Sequence, residues 1–574
     1  MKNIEKLNAP WYELYKNERK HLNYPDYSVY EHLKVACKKY NDYTAYNYFG
    51  KKCTYTHLLS KVDECACALK AMGVKKRDRV TICMPNTPEA VIAFYAINKI
   101  GAVSNMIHPL SAENEIKYYL TLSKSKMLIA IDLAWPKIEK IIDETRIKNT
   151  VIVSVKDSMP IITGLGYYIT QGRNIKKINT NESIIYWKDF IAKANLYKKD
   201  TNANLKGDDP AAILYSGGTT GTSKGIVLTN LNFNAAAMQS YEACACLAPR
   251  MTVLSIMPIF HGFGLGVCVH TVLTTGMTSI LLPKFDARTF DELLKKYKPN
   301  VIVGVPTLYE ALLTNKNLSK ENLSYIKCAI SGGDFLSISL KKKIDAFFKE
   351  HGADIQVREG YGLTECLTGS CLTPVDTYQP GSIGIPYPDT YYKIVKPGTD
   401  TEVPYGEDGE IVLTGPTIMK EYLYNIKETN DVLRKHKDGF TWLHTGDLGM
   451  MDKHGYIYFK QRLKRMIVSS GYNIYPSRIE SVIDELPFVL MSCVVGVPHP
   501  YKVQVAKAFV VLKPGIDANE MRRNEIYDHC VNNLAKYSLP YEIEFRNDLP
   551  KTKVGKIAYR VLETEELEKY NKKK

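Results

Sequence analysis

The sequence lacks the features that mark a secreted, zinc-stabilised or disordered chain. Its 13 cysteines among 574 residues are scattered, and no C-x-x-C pair of the zinc-binding kind occurs. We therefore expect small buried thiols in a reducing compartment. The first residues mix acids and bases without an apolar run, so no secretory signal is expected and the predicted location is cytoplasmic. With 45% hydrophobic and 24% charged residues, the composition excludes a disordered, collagenous or coiled-coil protein.

Acidic residues are fewer than basic residues. The chain has 61 Asp and Glu against 76 Lys and Arg, a net charge of +15 that favours anionic partners such as nucleotides, nucleic acid or lipid head groups. Peripheral contact with anionic lipid is allowed by this charge but not required by it. Residues 263–282 contain no Asp, Glu, Lys or Arg and are long enough to cross a bilayer. Their glycines, threonines and histidine favour a buried helix followed by a strand instead.

Short apolar runs alternate with amphipathic stretches from Arg79 onward, which predicts βαβ units and parallel sheets. The alternation resumes after residue 252, whereas residues 379–455 are rich in turn signals typical of a β subdomain. The predicted fold is α/β. A large N-terminal domain, residues 1–463, contains two wound α/β subdomains and the β subdomain, and a small mobile α+β C-terminal domain covers residues 464–574.

The most informative segment is AAILYSGGTTGTSKGIVLT, residues 211–229, in which an apolar strand opens into a loop dense in Gly, Thr and Ser. Such a loop turns N–H groups and hydroxyls toward a polyphosphate, and Lys224 adds a positive charge. It is not a Walker A loop, because no glycine directly precedes Lys224 and no helix pattern follows. The GTSKG within it nominates Ser223 as a hydrolase nucleophile, but a nucleophile elbow also needs a following helix. A solvated turn is the other alternative.

Four further motifs accompany this loop: EGYGLTE at 359–365, WLHTGD at 442–447, QRLKRMIVSSGYNIYPSRIE at 461–480, and LPKTKVGKI at 549–557. Together, in this order and spacing, the five motifs closely resemble the adenylate-forming (AMP-binding) superfamily of acyl-CoA synthetases, luciferases and carrier-loading adenylation domains. The resemblance covers nearly the whole chain, from about Tyr43 to Arg560.

The resemblance implies ATP, Mg²⁺ and coenzyme A as ligands. Tyr361 offers an aromatic face to a purine, Glu365 is an oxygen ligand suited to Mg²⁺, and the Asp447 carboxylate suits the ribose hydroxyls with Arg462 beside it. Gly471 and Tyr472 match the segment that binds pantetheine, and Thr219 joins Glu365 as a metal ligand. The predicted binding residues are Ser216, Gly217, Gly218, Thr219, Thr220, Gly221, Thr222, Lys224, Gly333, Asp334, Glu359, Gly360, Tyr361, Gly362, Thr364, Asp447, Arg462, Gly471 and Tyr472.

Three residues are predicted to be catalytic by the same resemblance. Lys556 would neutralise negative charge in the adenylation transition state. His261 would line or gate the acyl pocket, and Lys464 would be the hinge about which the small domain rotates between two half-reactions. Two positions depart from the family pattern: Glu359 replaces a common neutral amide, and Asp334 replaces an apolar or small residue and faces either adenine or the acyl group.

The predicted activity is that of an AMP-forming acid–thiol ligase: a carboxylic acid, preferably a fatty acid, is activated as acyl-AMP and transferred to coenzyme A. The first alternative is a stand-alone enzyme that loads a free acyl carrier protein. The others are a nucleotide-binding protein without turnover and a nucleic-acid-binding protein that exploits the +15 charge, although no specific nucleic acid is expected.

Overall fold

The computed structural model describes residues 6–16, 18–170, 175, 178–216, 223–469, 472–552 and 557–573. Its strands, in chain order, are β1 Thr44–Tyr48, β2 Lys51–Thr54, β3 Arg79–Cys83, β4 Val103–Met106, β5 Met127–Ile131, β6 Asn149–Val153, β7 Ile184–Tyr186, β8 Pro210–Tyr215, β9 Gly225–Thr229, β10 Thr252–Ser255, β11 Thr278–Leu281, β12 Val301–Gly304, β13 Cys328–Gly332, β14 Val357–Gly362, β15 Gly369–Leu372, β16 Ile385–Pro386, β17 Tyr391–Val395, β18 Gly409–Thr414, β19 Glu421–Tyr422, β20 Leu433–Lys435, β21 Thr441–Met451, β22 Ile457–Arg462, β23 Ile467–Ser469, β24 Tyr472–Ile474, β25 Val489–His499, β26 Val503–Leu512 and β27 Glu542–Phe545.

The α-helices are α1 Val29–Lys39, α2 Tyr55–Ala71, α3 Pro88–Lys99, α4 Glu113–Ser123, α5 Trp135–Ile138, α6 Ile161–Thr170, α7 Trp187–Ala192, α8 Asn230–Cys244, α9 Val272–Thr274, α10 Phe290–Tyr297, α11 Pro306–Thr314, α12 Ile338–Glu350, α13 Ile426–Val432, α14 Pro476–Asp484, α15 Glu520–Asn533 and α16 Tyr559–Lys573. A π-helix, Phe263–Thr271, precedes α9.

Two large, mainly parallel sheets form the body of the chain. The first has the order β19-β9-β8-β4-β3-β5-β6-β7, and the second the order β16-β15-β14-β13-β12-β10-β11-β1-β2. Strands β4, β3, β5 and β6 are buried along most of their length, as expected for parallel strands covered on both faces. These sheets confirm the two wound α/β subdomains.

Buried helices separate the two sheets. α3 is buried along its whole length and is capped by Thr87, whose side chain accepts a hydrogen bond from the Ala90 amide. In α3, the Tyr95 hydroxyl lies 3.0 Å from His270 Nδ1 in the π-helix. The other imidazole nitrogen of His270 lies 3.1 Å from Asn234 Oδ1 in α8. This hydrogen-bonded chain fixes three helices to one another beneath the loops that leave the sheets.

The remaining sheets are smaller. One has the order β17-β18-β21-β20 with β22 beside β21, and the other the order β24-β23-β26-β25 with β27 beside β26. They agree with the predicted β subdomain and the predicted small α+β unit, so the predicted fold class is confirmed. The domain boundary at residue 464 stays a prediction; Lys464 lies in a 3-10 turn, Leu463–Arg465, between β22 and β23.

The uncharged stretch 263–282 forms the buried π-helix, α9 and β11, as the favoured interpretation predicted. Among the residues that the structure describes, every helix is too short or too polar to span a bilayer. The amphipathic stretch after β5 contains two 3-10 turns, Asp132–Ala134 and Ile142–Glu144, and the four-residue α5.

Candidate active site

The predicted site residues follow the carboxyl ends of strands from both large sheets, which is where open α/β sheets bind ligands. Ser216 follows β8, and His261 lies in the loop between β10 and the π-helix. Gly333 and Asp334 follow β13, and Glu359 to Gly362 form the end of β14. β13 and β14 are parallel neighbours in register, with Gly332 opposite Gly360. The fold therefore brings Gly333 and the segment Glu359 to Gly362 to adjoining strand ends.

The Thr-rich loop joins two antiparallel strands, because Tyr215 at the end of β8 pairs with Gly225 at the start of β9. A strand follows the loop, as predicted, and this disfavours the nucleophile-elbow interpretation of Ser223. The Ser223 hydroxyl lies 3.2 Å from the Tyr119 hydroxyl, and the Ser223 carbonyl accepts a hydrogen bond of 2.9 Å from Tyr118. Gly217, Gly218, Thr219, Thr220, Gly221 and Thr222 lie outside the described residues.

Lys224, directly after this loop, is held by two partners. Its Nζ lies 2.7 Å from Glu428 Oε2 and 4.7 Å from the centre of the Tyr422 ring. The Tyr422 hydroxyl in turn donates to Glu365 Oε1 at 2.8 Å. Lys224 and Glu365 therefore share Tyr422 as a neighbour, which places a cation and a carboxylate next to the mouth of the loop.

Glu365 lies in a 3-10 turn, Thr364–Cys366, and its carbonyl accepts a hydrogen bond from the Met419 amide. In the described part of the chain no group of three His, Cys, Asp or Glu side chains is arranged to hold a metal by itself. A single carboxylate fits Mg²⁺ that arrives with a triphosphate, since Mg²⁺ in such sites takes one or two carboxylates and completes its shell with phosphate oxygens and water.

Tyr361, Asp447 and Arg462 form one cluster at the end of β14. The Tyr361 hydroxyl donates to Asp447 Oδ2 at 2.7 Å, and Arg462 Nε lies 3.4 Å from Asp447 Oδ1. Asp447 and Arg462 are opposite each other in the β21–β22 pair. Gly362 serves packing, because a Cβ there would lie 1.7 Å from the Thr368 carbonyl oxygen. A buried carboxylate flanked by a phenol and a guanidinium is suited to two neighbouring hydroxyls of a sugar.

A buried relay lies behind Asp447. Glu410 accepts from the Gly446 amide at 3.1 Å through Oε1, and its Oε2 lies 3.0 Å from His444 Nδ1. His444 Nε2 lies 2.9 Å from His436 Nε2. Burial, reinforced by Lys393, lowers the pKa of His436 to about 4, so the His436 imidazole is neutral at pH 7. The relay fixes the turn at Gly446, whose φ of 69° places it in the left-handed region.

Glu359 is buried in β14, where its Oε1 accepts a hydrogen bond of 3.3 Å from the Leu336 amide. Burial raises the pKa of the Glu359 carboxyl to about 8. The side chain therefore carries a proton at pH 7 and offers one donor and one acceptor, as the neutral amide expected at this position would.

His261 begins the turn into the π-helix. Its Nδ1 accepts from the Phe263 amide at 3.3 Å, which leaves the proton on Nε2. A Cβ at Gly262 would lie 1.6 Å from the Leu367 carbonyl oxygen, and one at Gly264 would lie 2.1 Å from the Pro258 carbonyl oxygen. The glycines thus allow this turn to pack against the segment that follows Glu365.

Comparison with known proteins identifies the family. Residues 33–423 match the AMP-binding enzyme family, and residues 478–556 match the AMP-binding enzyme C-terminal domain. The chain belongs to the AMP-binding enzyme family. The long-chain-fatty-acid–CoA ligase of Bacillus subtilis (strain 168) is 35% identical over 98% of this chain and 99% of its own length. The ligase of the same name from Haemophilus influenzae (strain ATCC 51907 / DSM 11121 / KW20 / Rd) is 30% identical over 97% and 99%. The ATP-bound MatB structure from Rhodopseudomonas palustris superposes with a TM-score of 0.80, at 27% identity over 94% of this chain and 99% of that one.

The predicted resemblance to the AMP-binding superfamily is confirmed, but the individual site residues stay predictions. Lys556 and Gly471 lie outside the described residues, as do the side chains of Lys464 and Tyr472. Gly333 and Asp334 are exposed at the end of β13, and Asp334 Oδ1 accepts from the Phe335 amide at 3.0 Å.

Sequence reasoning missed the relay behind Asp447 of this AMP-binding enzyme. His444 lies inside the quoted motif WLHTGD, three positions before Asp447, and that spacing was the available signal. Glu410 lies on β18 and His436 directly follows β20, and no local pattern singles them out.

Proposed function

We propose that this AMP-binding enzyme is an AMP-forming acyl-CoA ligase whose acid is a long-chain fatty acid. The observation that carries the proposal is the cluster of Tyr361, Asp447 and Arg462 at the strand ends, in a chain that aligns over 98% of its length with a long-chain-fatty-acid–CoA ligase. The cluster supports a nucleoside substrate, and the relatives support coenzyme A over a carrier protein as the acceptor.

In the first half-reaction, a carboxylate oxygen of the acid attacks the α-phosphorus of ATP. A new P–O bond forms, the bond to the β-phosphate oxygen breaks, and pyrophosphate leaves, giving acyl-AMP. Asp447 and Arg462 would hold the ribose, the 217–222 loop and Lys224 would hold the phosphates, and Lys556 would offset the growing negative charge. Thr219 and Glu365 would hold Mg²⁺, which supplies further neutralisation of phosphate charge.

In the second half-reaction, the deprotonated thiol of coenzyme A attacks the acyl carbonyl carbon. The C–S bond forms, the bond to the AMP oxygen breaks, and AMP leaves. Rotation about Lys464 would remove Lys556 from the site and bring Gly471 and Tyr472 to the acyl-AMP.

The proposal is tested by incubating the purified protein with Mg·ATP, coenzyme A and a panel of short, medium, long-chain and aromatic acids, followed by mass spectrometry. We expect long-chain acyl-CoA, AMP and pyrophosphate. Accumulation of acyl-AMP without acyl-CoA would instead favour a carrier protein as acceptor. Absence of both products, with ATP binding retained, would favour a nucleotide-binding protein without turnover.

A further inference from the structure

Cys246 combines access to solvent with contact to other thiols. Of the 13 cysteines, only Cys67 and Cys246 are partly exposed, and the others are buried. Cys246 lies two residues beyond the end of α8, where its amide donates to the Cys244 carbonyl at 2.6 Å. It packs against a core cluster that contains Cys244 and Cys328. A small solute can therefore reach one member of a group of three cysteines.

The second large sheet brings Cys328 and Arg358 to the same side, beneath the end of α8. Arg358 in β14 is the register partner of Ile330 in β13. Cys328 precedes Ile330 by two positions, so the side chains of all three residues point to one face of the sheet. On that face, the thiol of Cys328 interacts with the thiols of Cys244 and Cys246. The accessible sulfur of Cys246 thus has a buried second thiol beside it.

Arg358 places a buried positive charge next to these thiols. Its side chain is 4% exposed, and Nε donates to the Thr373 carbonyl at 2.7 Å. Nη1 donates to the Cys244 carbonyl at 2.7 Å, and Nη2 donates to the Ala243 carbonyl at 2.8 Å. These three acceptors are neutral, so none of them offsets the charge of the guanidinium. The guanidinium also interacts with the Cys246 sulfur, and a thiolate there would supply the missing negative charge.

The same neighbours favour the ionised form of Cys246. A hydrogen bond from the Cys328 thiol, assisted by the Arg358 guanidinium, lowers the pKa of Cys246 to about 7, although burial acts in the opposite direction. Contact with Cys244 and Cys246 raises the pKa of Cys328 well above its ordinary value, so Cys328 keeps its proton. At pH 7 about half of the molecules then carry a Cys246 thiolate beside a protonated thiol.

We propose that Cys246 is a modification site at which a hydroperoxide oxidises the sulfur and Cys328 then closes a disulfide with it. In the first step the Cys246 thiolate attacks one oxygen of hydrogen peroxide. The O–O bond breaks, and hydroxide leaves and becomes water with the proton that Cys246 had released, giving a sulfenic acid. In the second step the Cys328 sulfur attacks the Cys246 sulfur, the S–S bond forms and the S–O bond breaks. The hydroxyl group leaves as water with the proton of Cys328.

The test treats the reduced full-length protein with hydrogen peroxide at pH 7, followed by intact-mass measurement and peptide mapping. We expect the unaltered protein to lose two hydrogen atoms and to yield a peptide linked through Cys246 and Cys328, and dithiothreitol should reverse both changes. Cys67→Ser is the matched control, because Cys67 is the other partly exposed cysteine, and this variant should form the same link. Cys246→Ser should form none. Cys328→Ser should stop at a sulfenic acid on Cys246, which dimedone captures.

Alkylation of the unaltered protein provides a second measurement that needs no variant. With limiting iodoacetamide at pH 7, Cys246 should react about fivefold or more faster than Cys67. Equal rates at the two cysteines would overturn the inference. So would a peroxide-induced disulfide that persists in Cys246→Ser, or one that joins Cys246 to Cys244 instead of Cys328. None of these readouts uses acyl-CoA formation, so failure of the proposed function would leave the test unaffected.

Discussion

Replacement of Glu359 by Gln tests the assignment of a protonated carboxyl in β14. Glu359 is buried, accepts a hydrogen bond from the Leu336 amide, and has a pKa raised to about 8 by burial. With that pKa, about nine-tenths of the molecules carry the proton at pH 7. Gln has nearly the same shape and stays neutral at every pH, so Glu359→Gln removes only the titration.

The direction of the pKa shift of Glu359 determines how the free energy of unfolding changes with pH. Because the folded pKa is raised above that of the unfolded chain, the stability contributed by Glu359 is complete below about pH 4.5 and is lost as the pH rises through 8. Between pH 6 and pH 8 the free energy of unfolding of the unaltered protein should fall by about 2 kcal/mol on this account, and that of Glu359→Gln should not.

The free energies of unfolding of the two proteins are measured across this pH range by urea unfolding, with circular dichroism as the signal. Glu350→Gln is the matched control, because Glu350 is an exposed carboxyl on α12 and its replacement should leave the pH dependence unchanged. Glu359→Gln should also adenylate the acid at pH 7 and should avoid the loss of ATP affinity that we expect of the unaltered protein above pH 8. Parallel pH profiles for the unaltered protein and Glu359→Gln would refute the reasoning.

Three further predictions concern the rest of the site. Asp447→Asn removes the charge facing Arg462 and should lower kcat/KM for ATP by about tenfold or more, measured by pyrophosphate release; an unchanged value would exclude a role in binding the sugar. His444→Phe leaves the Glu410 carboxylate without its imidazole partner and should destabilise the protein by about 2 kcal/mol in urea unfolding, and equal stability would contradict the relay. Lys464→Pro should spare acyl-AMP formation and slow thioester formation in single-turnover assays, and an equal loss of both would count against domain alternation.

Individual strands of this chain can be predicted from its sequence, whereas their partners in the sheets cannot. Apolar runs such as 127–131 and 149–153 predict buried parallel strands, and both are present as β5 and β6. That β1 and β2 cross over to the second sheet, beside β11, depends on which apolar edges meet after the chain collapses. No pattern within residues 44–54 specifies that partner.

The same distinction applies to the candidate site. Tyr361, Asp447 and Arg462 were expected near the nucleotide from their motifs, and the structure brings them together through the pairing of β21 with β22 and the bond from Tyr361. The protonated state of Glu359 and the neutral state of His436 were not predictable, because each depends on burial by distant segments. Sequence identifies the residue types that carry chemistry, whereas their protonation depends on tertiary burial.

The most direct test of the proposed mechanism follows an oxygen atom. Palmitate labelled with oxygen-18 in both carboxylate positions is converted in the presence of Mg·ATP and coenzyme A, and the AMP is examined by mass spectrometry. If the carboxylate attacks the α-phosphorus, one labelled oxygen stays with AMP when the thiol takes the acyl group, and pyrophosphate carries none. Formation of ADP, or of AMP without label alongside palmitoyl-CoA, would contradict activation through acyl-AMP.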